Sequence, residues 1–150
     1  MVPPFEASQF LKLRYNEMGI TPPCLHIVLG SGFGSALSEI PPGFERAGEI
    51  AFKEVPGLPS ASVVGHKGAY FIYRHQKSKR TVVFQTGRLH GYEGHPAGKA
   101  IEPVTASFLA GCRDFILTNA AGSLVRRFRP GTVMVLTDHV NLTGQNPLTG

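Results

Sequence analysis

The run Leu25 to Leu29 stops on Gly30-Ser31-Gly32-Phe33-Gly34. Five residues are too few for a helix and fit a buried strand, and glycines at alternate positions allow the chain to turn sharply into a loop or helix start. In α/β proteins such turns at strand ends are where ligands bind. The punctuation recurs. Ala69 to Tyr73 and Thr81 to Thr86 read as two strands joined by a polar turn containing Gln76, Lys77, Ser78 and Lys79, most simply a hairpin. Phe115 to Thr118 and Thr132 to Thr137 read as further strands, running into Asn119-Ala120-Ala121-Gly122 and Asp138-His139-Val140-Asn141.

Helices complete the pattern. Ala7, Phe10, Leu11 and Met18 share one face at helical spacing, and Gly19 and Pro22 close that opening segment. Pro96 opens a second helical stretch through Ala110, kinked or restarted at Pro103 and ended by Gly111. The Pro- and Gly-rich stretch from Pro41 to Pro59 is expected to be irregular. Together these elements predict an α/β fold with a mixed, mostly buried β-sheet flanked by helices. At 150 residues, 42% hydrophobic and 17% charged, one domain is expected.

The net charge of +5 permits nucleic-acid binding, but the basic residues are scattered. The densest groups, Lys77, Lys79, Arg80 and Arg126, Arg127, Arg129, are flanked by turn residues and lack an aromatic stacking platform, which predicts solvated loops. Cys24 and Cys112 are expected to be reduced, buried thiols, since no further cysteine offers a metal framework. Glu6 and Gln9 occupy the place of a signal peptide's basic and apolar regions, and no run approaches a membrane span, so a cytoplasmic chain without membrane contact is expected.

Two clusters could carry chemistry. Amides of the first glycine loop could converge on an anion with the Ser31 hydroxyl as an added donor, or the loop could be a tight structural turn. Its spacing completes neither the dinucleotide fingerprint nor a phosphate loop, because Ser35 stands where a third glycine is needed and no Lys-Ser or Lys-Thr pair follows. The second cluster, Gly87-Arg88-Leu89-His90-Gly91-Tyr92-Glu93-Gly94, follows a strand directly and sets four functional side chains into six residues. Arg88 can grip an oxyanion through two parallel hydrogen bonds, and His90 can point to the same side of an extended segment. Glu93 could orient His90 or favour its charged form, and Tyr92 offers a ring and a hydroxyl to a sugar; a surface turn with an Arg–Glu pair is the alternative. His66 is a third anion donor or an exposed loop histidine. The small residues Asn119 to Gly122 would let a backbone amide approach a ligand, or simply turn the chain. His139 is expected to be buried and hydrogen-bonded.

Taken in order, Gly30 to Gly34, the His66 turn, Gly87 to Gly94, Thr118-Asn119-Ala120-Ala121-Gly122 and Asp138 to Leu148 resemble the trimeric class of purine nucleoside phosphorylases. Ser123 stands where many members carry glycine. The resemblance implies a phosphorylase/hydrolase-like fold and cleavage of inosine- or guanosine-like nucleosides by inorganic phosphate to free base and ribose 1-phosphate. It implies no metal and no organic cofactor, phosphate being a co-substrate. Phosphate would be held by Ser31, His66, Arg88, His90 and the amide of Ala120. Tyr92 would lie against the ribose, and Glu93 would partner His90 as the catalytic pair. Residues 1–150 would form the N-terminal portion of a single, here incomplete, phosphorylase domain, homotrimeric when whole. The residues that meet the base would come from a C-terminal half, on the same or a companion chain.

Overall fold

The computed structural model describes residues 4–33, 36–58 and 68–147, with Tyr92 described only in its backbone. His66 and Gly34 therefore lie outside the described residues. The elements are α1 (Pro4–Glu17), β1 (Leu25–Val28), β2 (Phe44–Ala51), β3 (Ala69–His75), β4 (Thr81–Thr86), α2 (Ala97–Ala100), α3 (Glu102–Leu109) and β5 (Asp114–Leu117). Single 3-10 turns occupy Phe52–Glu54 and Gly91–Glu93.

Among the described residues five strands form one mixed sheet in the order β2-β3-β4-β1-β5. β3 runs antiparallel to both β2 and β4, whereas β1 is parallel to β4 and β5. The hairpin expected of β3 and β4 is present, closed at Lys79 in the left-handed region (φ +59°). After β1 the chain crosses to β2 at one edge, and after β4 it crosses to β5 at the other. Adjacent parallel strands thus send their loops in opposite directions, which opens a crevice at their carboxyl ends.

One face of the sheet is covered by α1 and α3. Ala7, Leu11 and Tyr15, spaced four apart on α1, meet Ala106 and Ala110 near α3 and Ile50, Tyr70, Ile72 and Val83 from the sheet. Phe10 and Met18, expected on this face, pack at its margin. Ser8 joins it because its hydroxyl donates to the Phe5 carbonyl at 2.7 Å, which removes the cost of burying it. The helical stretch after Pro96 divides at Ile101, with Pro103 in the first turn of α3, where no intrahelical donor is needed. Gly111 then ends it at φ +118°.

Three expectations are corrected. The Pro- and Gly-rich stretch contains β2, whose polar sequence is held by cross-strand pairs to β3, including an Arg74 Nε to Glu45 ion pair at 2.8 Å. Thr132 to Thr137 is not a strand: it has no sheet neighbour among the described residues, and β propensity without a ladder does not make one. His139 is exposed rather than buried, its amide donating to Asp138 Oδ1 at 2.8 Å. Of the two free thiols, Cys112 is buried and Cys24 half-buried. Both basic groups are exposed throughout, Arg127 stacking on Phe128. No helix among the described residues is long and apolar enough to cross a membrane.

Candidate active site

Three carboxyl strand ends meet at the crevice. The end of β1 supplies Gly30 to Gly32, the end of β4 supplies Gly87 to His90, and the end of β5 supplies Thr118. Thr118 stitches the first to the third: its hydroxyl donates to the Val28 carbonyl at 2.8 Å and accepts from the Gly30 amide at 2.9 Å. This contact explains why position 30 is glycine. A Cβ there would stand 2.1 Å from the Thr118 carbonyl oxygen, well inside van der Waals contact. Gly32 has φ +89°, a conformation that a side chain disfavours.

Arg88 leans across the same junction. Its guanidinium lies 3.4 Å from the Thr118 carbonyl oxygen and 3.4 Å from Ser31 Oγ. Both contacts are long, so they orient the fork without consuming its donor capacity. The residue before it is anchored from below. Gln85, buried on β4, donates from Nε2 to the Gly87 carbonyl at 3.1 Å, while its Oε1 lies 3.0 Å from Nε2 of the buried His26. With the amide oxygen committed to His26, that ring nitrogen carries the proton. Burial presses the His26 pKa down to about 4, only partly offset by the Gln85 acceptor.

Ser31, Arg88 and His90 line one cavity of about 600 Å³, together with Leu29, Gly30, Gly32, Leu37, Ser38, Arg46, Phe71, Tyr73, Thr86 and Gly87. That size suits a small organic ligand. No acidic side chain is among these lining residues, and two arginines and a histidine are, which makes the cavity electropositive. Ala120 is exposed on the segment following β5. Glu93 is partly buried, with His95 Nε2 3.5 Å from its carboxylate. Thr118, Gln85 and Arg46 were not legible as site residues, because Thr118 and Gln85 act through partners brought together by the fold and Arg46 is aimed by a bulge. Among the described residues no three His, Cys, Asp or Glu side chains converge as a metal ion would require.

An electropositive crevice at the carboxyl ends of parallel strands, edged by the turn at Gly30 to Gly32 and crossed by an arginine, defines an α/β protein with its cavity where the strand order reverses. The family model described as the phosphorylase superfamily matches residues 29–150, and the chain belongs to that superfamily. It is similar to purine nucleoside phosphorylase 1 of Geobacillus stearothermophilus, at 39% identity over 97% of this chain and 49% of that protein. It is also similar to the purine nucleoside phosphorylase of Bos taurus, at 34% identity over 85% and 43% of the two chains. Among solved structures, isoform 2 of purine nucleoside phosphorylase from Schistosoma mansoni, in complex with cytosine and ribose-1-phosphate, superimposes with a TM-score of 0.64 at 29% identity. That superposition covers 84% of this chain and 41% of the other. The chain spans about half the length of the curated relatives it matches.

Proposed function

We propose that this chain forms the phosphate-binding part, and a portion of the ribose-binding part, of a purine nucleoside phosphorylase. The observation that carries the reading is that Arg88, oriented by Thr118, shares one electropositive cavity with Ser31 and His90. Inorganic phosphate is the co-substrate, and ribose 1-phosphate and a free purine are the products. Ser31, Arg88, His90, the amide of Ala120 and His66 hold the phosphate; Tyr92 meets the ribose, and Glu93 acts with His90. The reaction needs no metal or organic cofactor. Residues 1–150 belong to a single phosphorylase domain of a cytoplasmic homotrimer without nucleic-acid or membrane partners.

The chemistry follows from charge. As the C1′–N bond breaks, the sugar becomes cation-like, and a phosphate dianion fixed beneath the anomeric carbon stabilises that charge while already aligned to attack. The departing base takes a proton or leaves as an anion, which calls for donors around it. A second reading, a subunit that completes its fold against a companion chain, is favoured by the exposed apolar segment Val133 to Leu136.

The deciding experiment pairs phosphate binding with turnover. Arg88→Ala should weaken phosphate affinity by roughly 1.5 to 3 kcal/mol, read by calorimetry, with the fold retained by circular dichroism. Hypoxanthine release from inosine and phosphate, measured with and without a relative's C-terminal half, tests catalysis. A folded Arg88→Ala protein with unchanged phosphate affinity overturns the assignment.

A further inference from the structure

Arg46 reaches the cavity only because β2 is irregular. Its register to β3 shifts between Arg46, paired with Tyr73, and Gly48, paired with Ile72. In a regular strand Arg46 would share a face with Gly48 and Ile50, the face that packs on the helices. The inserted Ala47 instead packs against the core, and Gly48 lies against Met18, whose Sδ would be 2.6 Å from a Cβ at that position. Arg46 is thereby turned to the opposite face, together with Glu49. Bulges that re-aim a side chain are common beside active sites.

The guanidinium is also held in place. Its central carbon sits 5.0 Å from the centroid of Phe71, which pairs with Phe84, two residues nearer the carboxyl end of β4 than Val82, the partner of Tyr73. The side chain thus leans toward the Ser31 and Arg88 end of the cavity. Its ion pair with Glu49 joins two half-exposed side chains (45% and 46%), so solvent screens the pair and it yields to a stronger anion. Glu49 itself does not line the cavity.

We propose that Arg46 is a second oxyanion contact of this cavity, so that the site accepts a pentose carrying two phosphate groups, one at Ser31, Arg88 and His90 and the other at Arg46. Three observations meet here: a bulge that aims the residue, an aromatic face that fixes it, and a cavity far larger than one oxyanion with no carboxylate among the lining residues named above. The inference rests on the phosphate site proposed above and extends it to ligands with a second anionic end.

The test compares inorganic phosphate, ribose 1-phosphate and ribose 1,5-bisphosphate by calorimetry on the 150-residue chain and its variants. The unaltered chain should bind the bisphosphate about tenfold more tightly than the monophosphate, as one charge-assisted contact provides. Arg46→Met should erase that advantage while leaving inorganic phosphate affinity unchanged, and Arg46→Lys should keep most of it. Glu49→Gln, which frees Arg46, should tighten the bisphosphate alone. Equal affinities in the unaltered chain, an advantage that survives Arg46→Met, or equal losses for all three ligands would overturn the proposal. Arg88→Met separates the two readings: inorganic phosphate affinity unaffected by it would overturn the phosphate site itself, and the bisphosphate proposal with it.

Discussion

At Gly30 a methyl group would have to occupy space 2.1 Å from the Thr118 carbonyl oxygen, and that obstacle is backbone, which cannot rotate away. Gly30→Ala should therefore push the ends of β1 and β5 apart and pull Thr118 off the Arg88 guanidinium. We expect roughly 1 to 3 kcal/mol of lost stability by urea unfolding, accompanied by weaker phosphate binding. His26 makes a different prediction. The imidazole is fully buried between Tyr70 and Phe115, and its Nδ1 has no hydrogen-bond partner among the described residues. Its folded pKa of about 4 lies below the unfolded value of 6.5. The unfolded chain thus binds more protons between those values, and this group's stability is fully present above pH 6.5 and is lost as pH falls toward 4. At pH 5 the chain should be less stable than at pH 7 by roughly 2 kcal/mol from this group alone. Urea unfolding at the two pH values checks it, and His26→Phe should flatten the difference.

Among elements, the β3–β4 hairpin and the break before α3 were legible because each is a local matter of alternation, turn residues or proline. β2 was not. Its sequence, Phe44-Glu45-Arg46-Ala47-Gly48-Glu49-Ile50-Ala51, carries one β-branched residue and a glycine, and becomes a strand only when β3 supplies the ladder and the ion-pair partner. The reverse holds for Thr132 to Thr137, rich in β formers yet without a neighbour to pair with among the described residues. The site divides along the same line. Ser31 and Arg88 stand out because glycines flank them at strand ends, whereas Arg46 is aimed by a bulge and Gln85 acts by pinning Gly87 from a buried position. Neither leaves a trace in local spacing. The joint between α3 and β5 shows how strictly one element can be fixed. Gly111 has φ +118°, and a Cβ on it would lie 2.9 Å from the Pro22 ring. Gly111→Ala should cost about 1 to 3 kcal/mol and lower Tm by several degrees in a calorimetric scan, since neither the dihedral nor the ring can yield.

For the whole molecule, the distribution of cover is uneven. α1 and α3 bury one face of β2, β3 and β4, but β5 is an edge strand with Ile116 and Leu117 exposed. Beyond it Val133, Met134, Val135 and Leu136 are 84%, 59%, 86% and 63% exposed, four consecutive apolar side chains facing water. Unpaired strand edges and contiguous apolar surface both favour association, the first through free backbone donors and acceptors, the second through water release. Because this surface lies away from the α1–α3 core, association and folding should be separable. The 150-residue chain is expected to associate with rising concentration in light scattering, and Val133→Lys with Val135→Lys should shift it toward monomer while leaving Tm within about 1 °C, as exposed substitutions usually do. A companion C-terminal half from a relative should suppress the same association, because it would compete for the same edge and apolar segment. A chain that stays monomeric at high concentration, or a double variant that unfolds, would show that this surface is already satisfied within the chain.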